Sequence, residues 1–315
     1  MSSDAAGKIV GVGRALGGRV VTNQELECTL ETSDDWISGR TGIKQRHFVE
    51  EGEDCSTLAI EASRAALEHA GISGEDIDLV VCATSTAPES MPSVACLVGE
   101  AVGAPGKGAM DLAAACAGYA YAASVAAPMI QAGLAERVLL VGADAMTTIV
   151  DPDDRSTAVL FADGAGAVVL ERGDGKSGFV DHLLGADGGG APLGRAGHPG
   201  DDNKLYQNGR EVFKFAVKIF PEMVEKLVAR NGISLEDVQY IIPHQANARI
   251  IHAAARKLDV PEEKIVVNVD RFGNTSAASI PISYPDIYES FEPGKYIVTV
   301  GFGFGLSWAA NLYKI

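Results

Sequence analysis

The sequence predicts a duplicated α/β fold, and three observations predict it. Residues 71–82, GISGEDIDLVVC, align with residues 232–243, GISLEDVQYIIP, at a constant offset of 161, with five of twelve positions identical. In both copies an amphipathic helix comes first, TLAIEASRAALEHAG or FPEMVEKLVARNG, stopped by Gly71 or Gly232 and followed by a short acidic turn into a buried strand. Strand and helix patterns alternate along the whole chain without a flexible linker, so two related halves, 1–174 and 175–315, are expected to pack as one unit.

The elements follow in order. The start, MSSDAAGKIVGVGRALGG, lacks a basic segment followed by a long apolar one, and no 18-residue apolar run occurs anywhere. A soluble cytoplasmic protein with no membrane partner is the expectation. LVVCAT is a buried strand; KGAMDLAAA is a strand leading to Cys116, and a helix of small residues runs on through Met129. RVLLVGADA at 137–145 and AVVLE at 167–171 complete the strands of the first half. Gly- and Asp-rich stretches at 173–178 and 185–203 mark the crossing between halves and a surface excursion. EVFKFAVKIFPEMVEKLVA, YIIPHQ, HQANARIIHAAARKL, KIVVNVD, an alanine-rich segment and YIVTVGFGFGLSWAANLYKI fill the second half.

Composition bounds the function. With 47% hydrophobic residues, a chain of 315 can bury a sizeable core. The 26 basic and 42 acidic side chains give a net charge of −16, which argues against nucleic acid or an anionic membrane as a bulk partner. An acidic ligand must find a local basic patch. The five cysteines, 28, 55, 82, 96 and 116, are odd in number, lie at least 14 apart and form no CxxC, so neither a zinc site nor a disulfide framework is expected and a reducing compartment fits.

Three separated residues carry the chemistry: Cys116 in DLAAACAGYAYA, His244 in IIPHQANARI and Asn274 in RFGNTSAAS. A thiolate at a helix start is stabilised by free backbone N–H groups and the helix dipole, and Ala117 and Gly118 leave room beside it for an acyl chain. Alone, Cys116 reads equally as a small buried core residue, His244 as a satisfied core histidine and Asn274 as a cap or turn residue. Together they can accept an acyl group, hold an anion beside it and pass the group on. Two neutral donors suit an enolate, because they stabilise the anion without quenching it.

AAACAGYAYA, PHQANARI, DRFGNTSAASIP, LFADGAGAVVL, NGREVFKFAV and TSDDWISGRTGIKQRH resemble the β-ketoacyl-acyl carrier protein synthase III family, in the expected order from about residue 8 to the C-terminus. The resemblance implies the thiolase-like fold, a duplicated five-layer αβαβα sandwich, and a homodimer. It implies a ping-pong reaction that starts type II fatty-acid synthesis: Cys116 takes the acyl group from an acyl-CoA, and malonyl-acyl carrier protein then loses CO2 and condenses with it. His244 and Asn274 would hold the malonyl thioester oxygen, the backbone N–H groups of Cys116 and Phe304 the first thioester oxygen, and no metal or redox cofactor is required.

Further roles follow from the same resemblance. Trp36 and Arg155 look like the pair that sandwiches the adenine of CoA; Arg40 and Thr41 resemble neighbours of the nucleotide, and Asn247 a residue of the pantetheine tunnel. Met91, capping across the dimer, Phe213 and Phe304 would shape the acyl pocket. Gln245, Ala246, Asn247, Ala248 and Arg249, with the charges of Lys214, Arg256 and Lys257, resemble the contact for the acidic acyl carrier protein.

The departures are Phe304 where the family usually has a small residue, Gln207 where an apolar one is common, and Ser283-Tyr284-Pro285, whose proline is expected to interrupt a helix. A narrowed or altered acyl preference follows. The nearest alternative is a specialised-metabolism relative that transfers acyl groups from the same cysteine without condensation; Asn274, which plain transfer does not need, argues against it. A papain-like peptidase, for which His244 lies 128 residues after Cys116 and Asn274 another 30, lacks the local signature around its cysteine. A non-catalytic partner subunit is disfavoured because all three reactive positions are filled.

Overall fold

A computed structural model describes residues 5–202 and 204–315; residues 1–4 and Asn203, in the Gly- and Asp-rich stretch, lie outside the described residues. Two sheets organise the chain. The first has the order β1 (Lys8–Leu16), β7 (Asp163–Glu171), β6 (Arg137–Ala145), β4 (Leu79–Ala83), β5 (Gly108–Leu112). The second has the order β8 (Gly178–Ala186), β13 (Ser307–Lys314), β12 (Tyr296–Gly303), β11 (Val238–Pro243). Directions match position by position: two antiparallel pairings, then β4 beside β6 and β11 beside β12 in parallel. A parallel bridge from Ile241 to Ile265 stands where β4–β5 pairing stands in the first sheet. The repeat detected at 71–82 and 232–243 therefore falls on equivalent strands, β4 and β11.

Five layers result. Outside the first sheet lie α3 (Cys55–Ala70) and α4 (Val94–Ala101), whose buried faces are mostly alanine, cysteine, leucine and valine. Small side chains let these helices approach the strands closely. The helix α5 (Gly118–Gln131) packs against both sheets, with Val81, Leu140 and Val168 on one side and Ile242, Ile297 and Ala309 on the other. Beyond the second sheet lie α7 (Gly209–Arg230) and α8 (Ala248–Leu258). Strand β4 is buried along its whole length because it is covered on both faces. Helix α3 begins at a capping box of Asp54 and Thr57 and ends at Gly71, in the left-handed region with φ 67°.

The central layer's second component is the counterpart of α5. As the proline at 285 predicts, residues 276–290 are broken into 3-10 turns around the four-residue α10 (Tyr284–Ile287). The remaining pieces form the rim of the site. The hairpin of β2 (Arg19–Thr22) and β3 (Gln45–Phe48) encloses α1 (Asn23–Glu27) and α2 (Asp34–Thr41); α6 (Arg155–Ala158) precedes β7, and α9 (Val269–Phe272) precedes Asn274. The excursion after β8 forms a 3-10 turn, Gly188–Leu193, and the short pair β9 (Gly194–Arg195) and β10 (Tyr206–Gln207).

Candidate active site

Cys116 occupies a 3-10 turn, Ala115–Ala117, between β5 and α5. Ala115 holds φ 46°, a left-handed conformation costing a non-glycine residue about 1 kcal/mol or more, which sharpens the turn. The strand β12 lies directly against it. A Cβ on Gly301 would sit 2.8 Å from Ala117 Cα, and one on Gly303 would sit 2.7 Å from Cys116 N, so only glycine lets this strand pass. With side chains alternating along the strand, Phe302 turns the other way, stacking on Phe220 at 6.3 Å and meeting the edge of His244 at 5.3 Å. Within GFGFG, Gly301 and Gly303 therefore face the nucleophile turn, and Phe302 between them packs on the opposite side of the strand.

The Cys116 thiol is buried, and its Sγ donates to Ser276 Oγ at 3.3 Å. Burial pushes the thiol up to about 12, outweighing the Ser276 hydroxyl, which pulls it down. Against the helix-start stabilisation expected of a thiolate, desolvation of this buried sulfur favours the neutral thiol.

His244 directly follows β11 and is 2% exposed. Burial lowers its imidazole to about 3 against the opposing pull of the Ser276 backbone, so the ring is neutral at physiological pH. Its Nδ1 lies 3.2 Å from Ser279 Oγ. Asn274 is tied into the other half by its backbone, N–H to Leu160 O at 3.0 Å and C=O from Ala162 N at 2.9 Å. Its Oδ1 accepts from Ser276 N–H at 3.0 Å, which occupies the acceptor end of the amide and leaves the Nδ2 end as donor.

These three residues line one cavity of about 330 Å³, together with Trp36, Arg40, Thr41, Phe213, Ala246, Asn247 and Phe304. Trp36 stands on α2, where Arg155 lies over its ring at 4.8 Å and Arg40 at 5.7 Å from the centroid. Trp36 and Arg155 are therefore brought together but closed on each other. A base inserted between them has to displace Arg155, whose Nη1 donates to Glu31 O at 2.7 Å. Thr41 Oγ1 donates to Ile37 O at 2.6 Å and accepts from Ile43 N, so its hydroxyl is used within α2 and the turn beyond it. The Asn247 amide caps α8 through Arg249 N–H at 2.8 Å and donates to Arg40 O at 3.1 Å, fastening α2 to α8.

The Phe304 ring lies flat against Gly194, a position where a Cβ would collide with it, and contributes to the cavity wall. Met91 does not reach the chain's own cavity: it is 78% exposed in the loop before α4. Among the expected carrier-protein contacts, Lys214, Arg249, Arg256 and Lys257 are exposed. Gln245 and Ala248 are corrected. The Gln245 side chain is 1% exposed, donating to Pro243 O and Val266 O at 3.0 Å each and accepting from Asn268 N–H at 3.0 Å, which makes it a brace beneath the histidine loop. Ala248 is buried against Gly42 of the α2 terminus.

Sequence reasoning missed Ser276, Ser279, Gly194 and Arg46. The buried Arg46 guanidinium bonds Asn23 Oδ1 at 2.8 Å and Val159 O at 2.9 Å, anchoring the Trp36-bearing excursion to the cavity wall; burial lowers it to about 10. The two serines were visible in NTSAAS, yet nothing in their spacing says which faces the thiol and which the imidazole.

Comparison with known proteins places this constellation. The family model described as 3-oxoacyl-[acyl-carrier-protein] synthase III matches residues 110–188, and the one for its C-terminal part matches residues 228–315. The β-ketoacyl-[acyl-carrier-protein] synthase III of Rubrobacter xylanophilus is 77% identical over 312 residues, covering 99% of each chain. The chain belongs to the β-ketoacyl-[acyl-carrier-protein] synthase III family. A family member of Bacillus cereus is 47% identical over 304 residues, covering 96% of both chains. Among solved structures, the family member of Thermus thermophilus superposes with a TM-score of 0.94 at 41% identity, covering 98% of this chain and 99% of that one. The priming β-ketosynthase of the R1128 polyketide pathway gives 0.93 at 33% identity, covering 100% and 98%. Cys116 and Asn274 lie within family-matched stretches in opposite halves, and His244 shares the second stretch with Asn274.

Proposed function

We propose that this chain catalyses the decarboxylative Claisen condensation of an acyl-CoA primer with malonyl-acyl carrier protein, giving 3-ketoacyl-acyl carrier protein, CO2 and CoA, the opening step of type II fatty-acid synthesis. The observation that carries this reading is the single cavity holding a buried thiol together with a neutral imidazole and a carboxamide. Cys116 Sγ attacks the primer thioester. The oxyanion forms beside the Cys116 and Phe304 backbone, where the end of β12 abuts the nucleophile turn. CoA leaves, and the acyl group stays on sulfur.

Malonyl-acyl carrier protein then enters. Ser279 Oγ lies 3.2 Å from Nδ1; in this mechanism its hydroxyl donates there, the His244 ring carries its proton on Nε2, and Nε2–H and Asn274 Nδ2–H hold the malonyl thioester oxygen as CO2 departs. A neutral imidazole suits this role, since an imidazolium would quench the carbanion. Acyl transfer without condensation would leave the His244–Asn274 pair without work. The reaction needs no metal or redox cofactor.

Delivery uses the rim. Adenine stacking falls to Trp36 and Arg155 after Arg155 swings aside, with Arg40, Thr41 and Asn247 along the entry. A second cleft lined by Phe213, Arg249, His252, Arg256 and Glu262 shares Phe213 with the main cavity, and Arg249 and Arg256, with the exposed Lys214 and Lys257, offer acidic acyl carrier protein positive charge on a strongly acidic chain. The chain works in the cytoplasm as a homodimer, in which Met91 caps the partner's acyl pocket; among the described residues no helix is long and apolar enough to cross a membrane.

Intact-protein mass spectrometry tests this directly. Wild type, but not Cys116→Ala, should gain an acyl adduct from acetyl-, isobutyryl- or longer acyl-CoA and lose it to malonyl-acyl carrier protein as the 3-ketoacyl product appears. An adduct that malonyl-acyl carrier protein cannot discharge would make the protein an acyltransferase without condensation. No adduct from any acyl-CoA would refute the primer.

A further inference from the structure

Arg46, on β3, is fully buried, and no carboxylate among the described residues pairs with it directly. Burying a guanidinium without a counterion is costly, and only well-placed acceptors offset that cost. Nη1 donates to Asn23 Oδ1 at 2.8 Å and reaches Val21 O at 3.5 Å; Nη2 donates to Val159 O at 2.9 Å. Nε has no partner among the described residues. The group therefore serves acceptors from two separate segments.

Those segments carry the two members of the Trp36–Arg155 pair. Asn23 passes the link on: its Nδ2 donates to Asp34 Oδ1 at 2.7 Å and to Ile43 O at 2.8 Å, so it holds both the first turn of α2 and the turn beyond its end. Trp36 stands one half-turn after Asp34 on the same helix. Val159 ends α6, whose first residue is Arg155, and lines the catalytic cavity. One planar fork thus joins the base of α2 to the base of α6, which the compact ammonium of a lysine cannot do in the same geometry. At the other end of α2, Asn247 Nδ2 donates to Arg40 O at 3.1 Å, so Trp36 lies between two fastenings.

Neither fastening uses the side chain that must move. Arg155 closes over the Trp36 ring at 4.8 Å and donates to Glu31 O at 2.7 Å. A base entering between them displaces that side chain, while the bonds of Arg46 keep the two backbones in place. The same wall runs on to the catalytic amide: Leu160 O, one residue beyond Val159, accepts from Asn274 N–H at 3.0 Å.

We propose that Arg46 is a positioning residue for primer loading: through Asn23 and Asp34 on one side and Val159 on the other, it fixes the spacing of Trp36 and Arg155, so that the nucleotide of an acyl-CoA meets a preset gap. The proposal rests on the acyl-CoA reading above. A preset gap removes the cost of ordering two arms on binding, and only a substrate that carries the nucleotide gains from it.

The test compares acylation of Cys116 by acetyl-CoA and by S-acetyl-pantetheine, which lacks the nucleotide, in wild type, Arg46→Lys, Asp34→Ala and Asp34→Asn, read by mass spectrometry under single-turnover conditions. In Arg46→Lys the half-saturating acetyl-CoA concentration should rise about 10-fold, the scale of one lost hydrogen bond to a charged group. The limiting rate and the S-acetyl-pantetheine rate should stay within about twofold, the pattern of lost binding rather than lost chemistry. Asp34→Ala should give a smaller rise of the same kind, and Asp34→Asn, which keeps an acceptor for Asn23 Nδ2–H, should restore saturation. Equal losses with both substrates make Arg46 a fold residue only and overturn the proposal, as does unaltered saturation by acetyl-CoA. If Arg46→Lys fails to fold, Asp34→Ala against Asp34→Asn decides by the same criterion. If acetyl-CoA loads no form, the primer reading falls, and acrylamide quenching of Trp36 fluorescence in a Trp308→Phe background decides instead. Stronger quenching in Arg46→Lys supports the fixed spacing, and unaltered quenching overturns it.

Discussion

Ser279 and Phe304 show what single side chains decide. In the proposed mechanism the Ser279 hydroxyl, 3.2 Å from His244 Nδ1, donates to it and keeps the ring proton on Nε2, so Ser279→Ala lets the proton move to Nδ1 and removes a donor from the enolate. Malonyl-acyl carrier protein decarboxylation should fall on the order of 10-fold to 100-fold, the scale of one lost oxyanion donor. Acyl loading, which uses backbone donors, should change by less than about threefold; equal losses in both steps, followed by radiolabelled CO2 release and CoA release, would show that the serine acts on packing alone. Phe304 presses on Gly194 and forms part of the cavity wall. Phe304→Gly should therefore shift kcat/KM toward longer or branched acyl-CoAs by about 10-fold or more per added methylene accommodated. An unchanged acyl-CoA profile sinks that role. That Cys116, His244 and Asn274 belong together was legible in the sequence because each sits in a short distinctive context, and the fold brings all three to one cavity. The environment of the thiol was not legible, since a helix start argues for a thiolate and only the fold shows how deeply the sulfur is buried, which pulls the other way.

Helices and strands were legible where their periodicity was strong. The helix–turn–strand repeat falls on α3–β4 and α7–β11, and Pro285 breaks the helical segment as its missing N–H requires. The Gln245 error has a physical source: HQANAR reads as an exposed helix start, but α8 begins only at Ala248, and the residues before it turn inward beneath the site. The way α2 meets α8 was equally invisible. Gly42 ends α2 in the left-handed region, φ 79°, and a Cβ there would collide with Ala248. Gly42→Ala should thus destabilise the fold by about 1–3 kcal/mol through strain and overpacking, measured by urea denaturation. Because the contact holds the Trp36-bearing helix to the cavity wall, KM for acyl-CoA should rise more than kcat falls. A stable variant with unaltered KM would detach α2 from substrate delivery.

Duplication explains how the whole molecule assembles the site. Cys116 follows β5 and leads into α5; Asn274 follows the Ile265 bridge strand and leads into the broken helix, so the same place in each half supplies a different functional group. His244 follows β11 as Thr84, which holds Asp144, follows β4. Buried titratable groups gathered in this way link global stability to pH. His182, stacked on Phe179, is lowered to about 4 and His244 to about 3, both by burial, so the unfolded chain binds these two protons at higher pH than the folded one. Their contribution is complete above about pH 6.5 and is lost as pH falls. Asp163 runs the other way: raised to about 6 by burial, it is protonated in the fold before it is in the unfolded chain and offsets one of the two histidines between about pH 6 and 4. Asp144, likewise raised by burial, opposes the histidines in the same direction, so unfolding free energy should fall toward low pH less steeply than the two histidines alone would give. Urea melts at pH 7, 6, 5 and 4 measure the slope. His182→Gln, which keeps a polar group beside Asn311, should flatten it, and a slope unaltered by that substitution would remove His182 from the account.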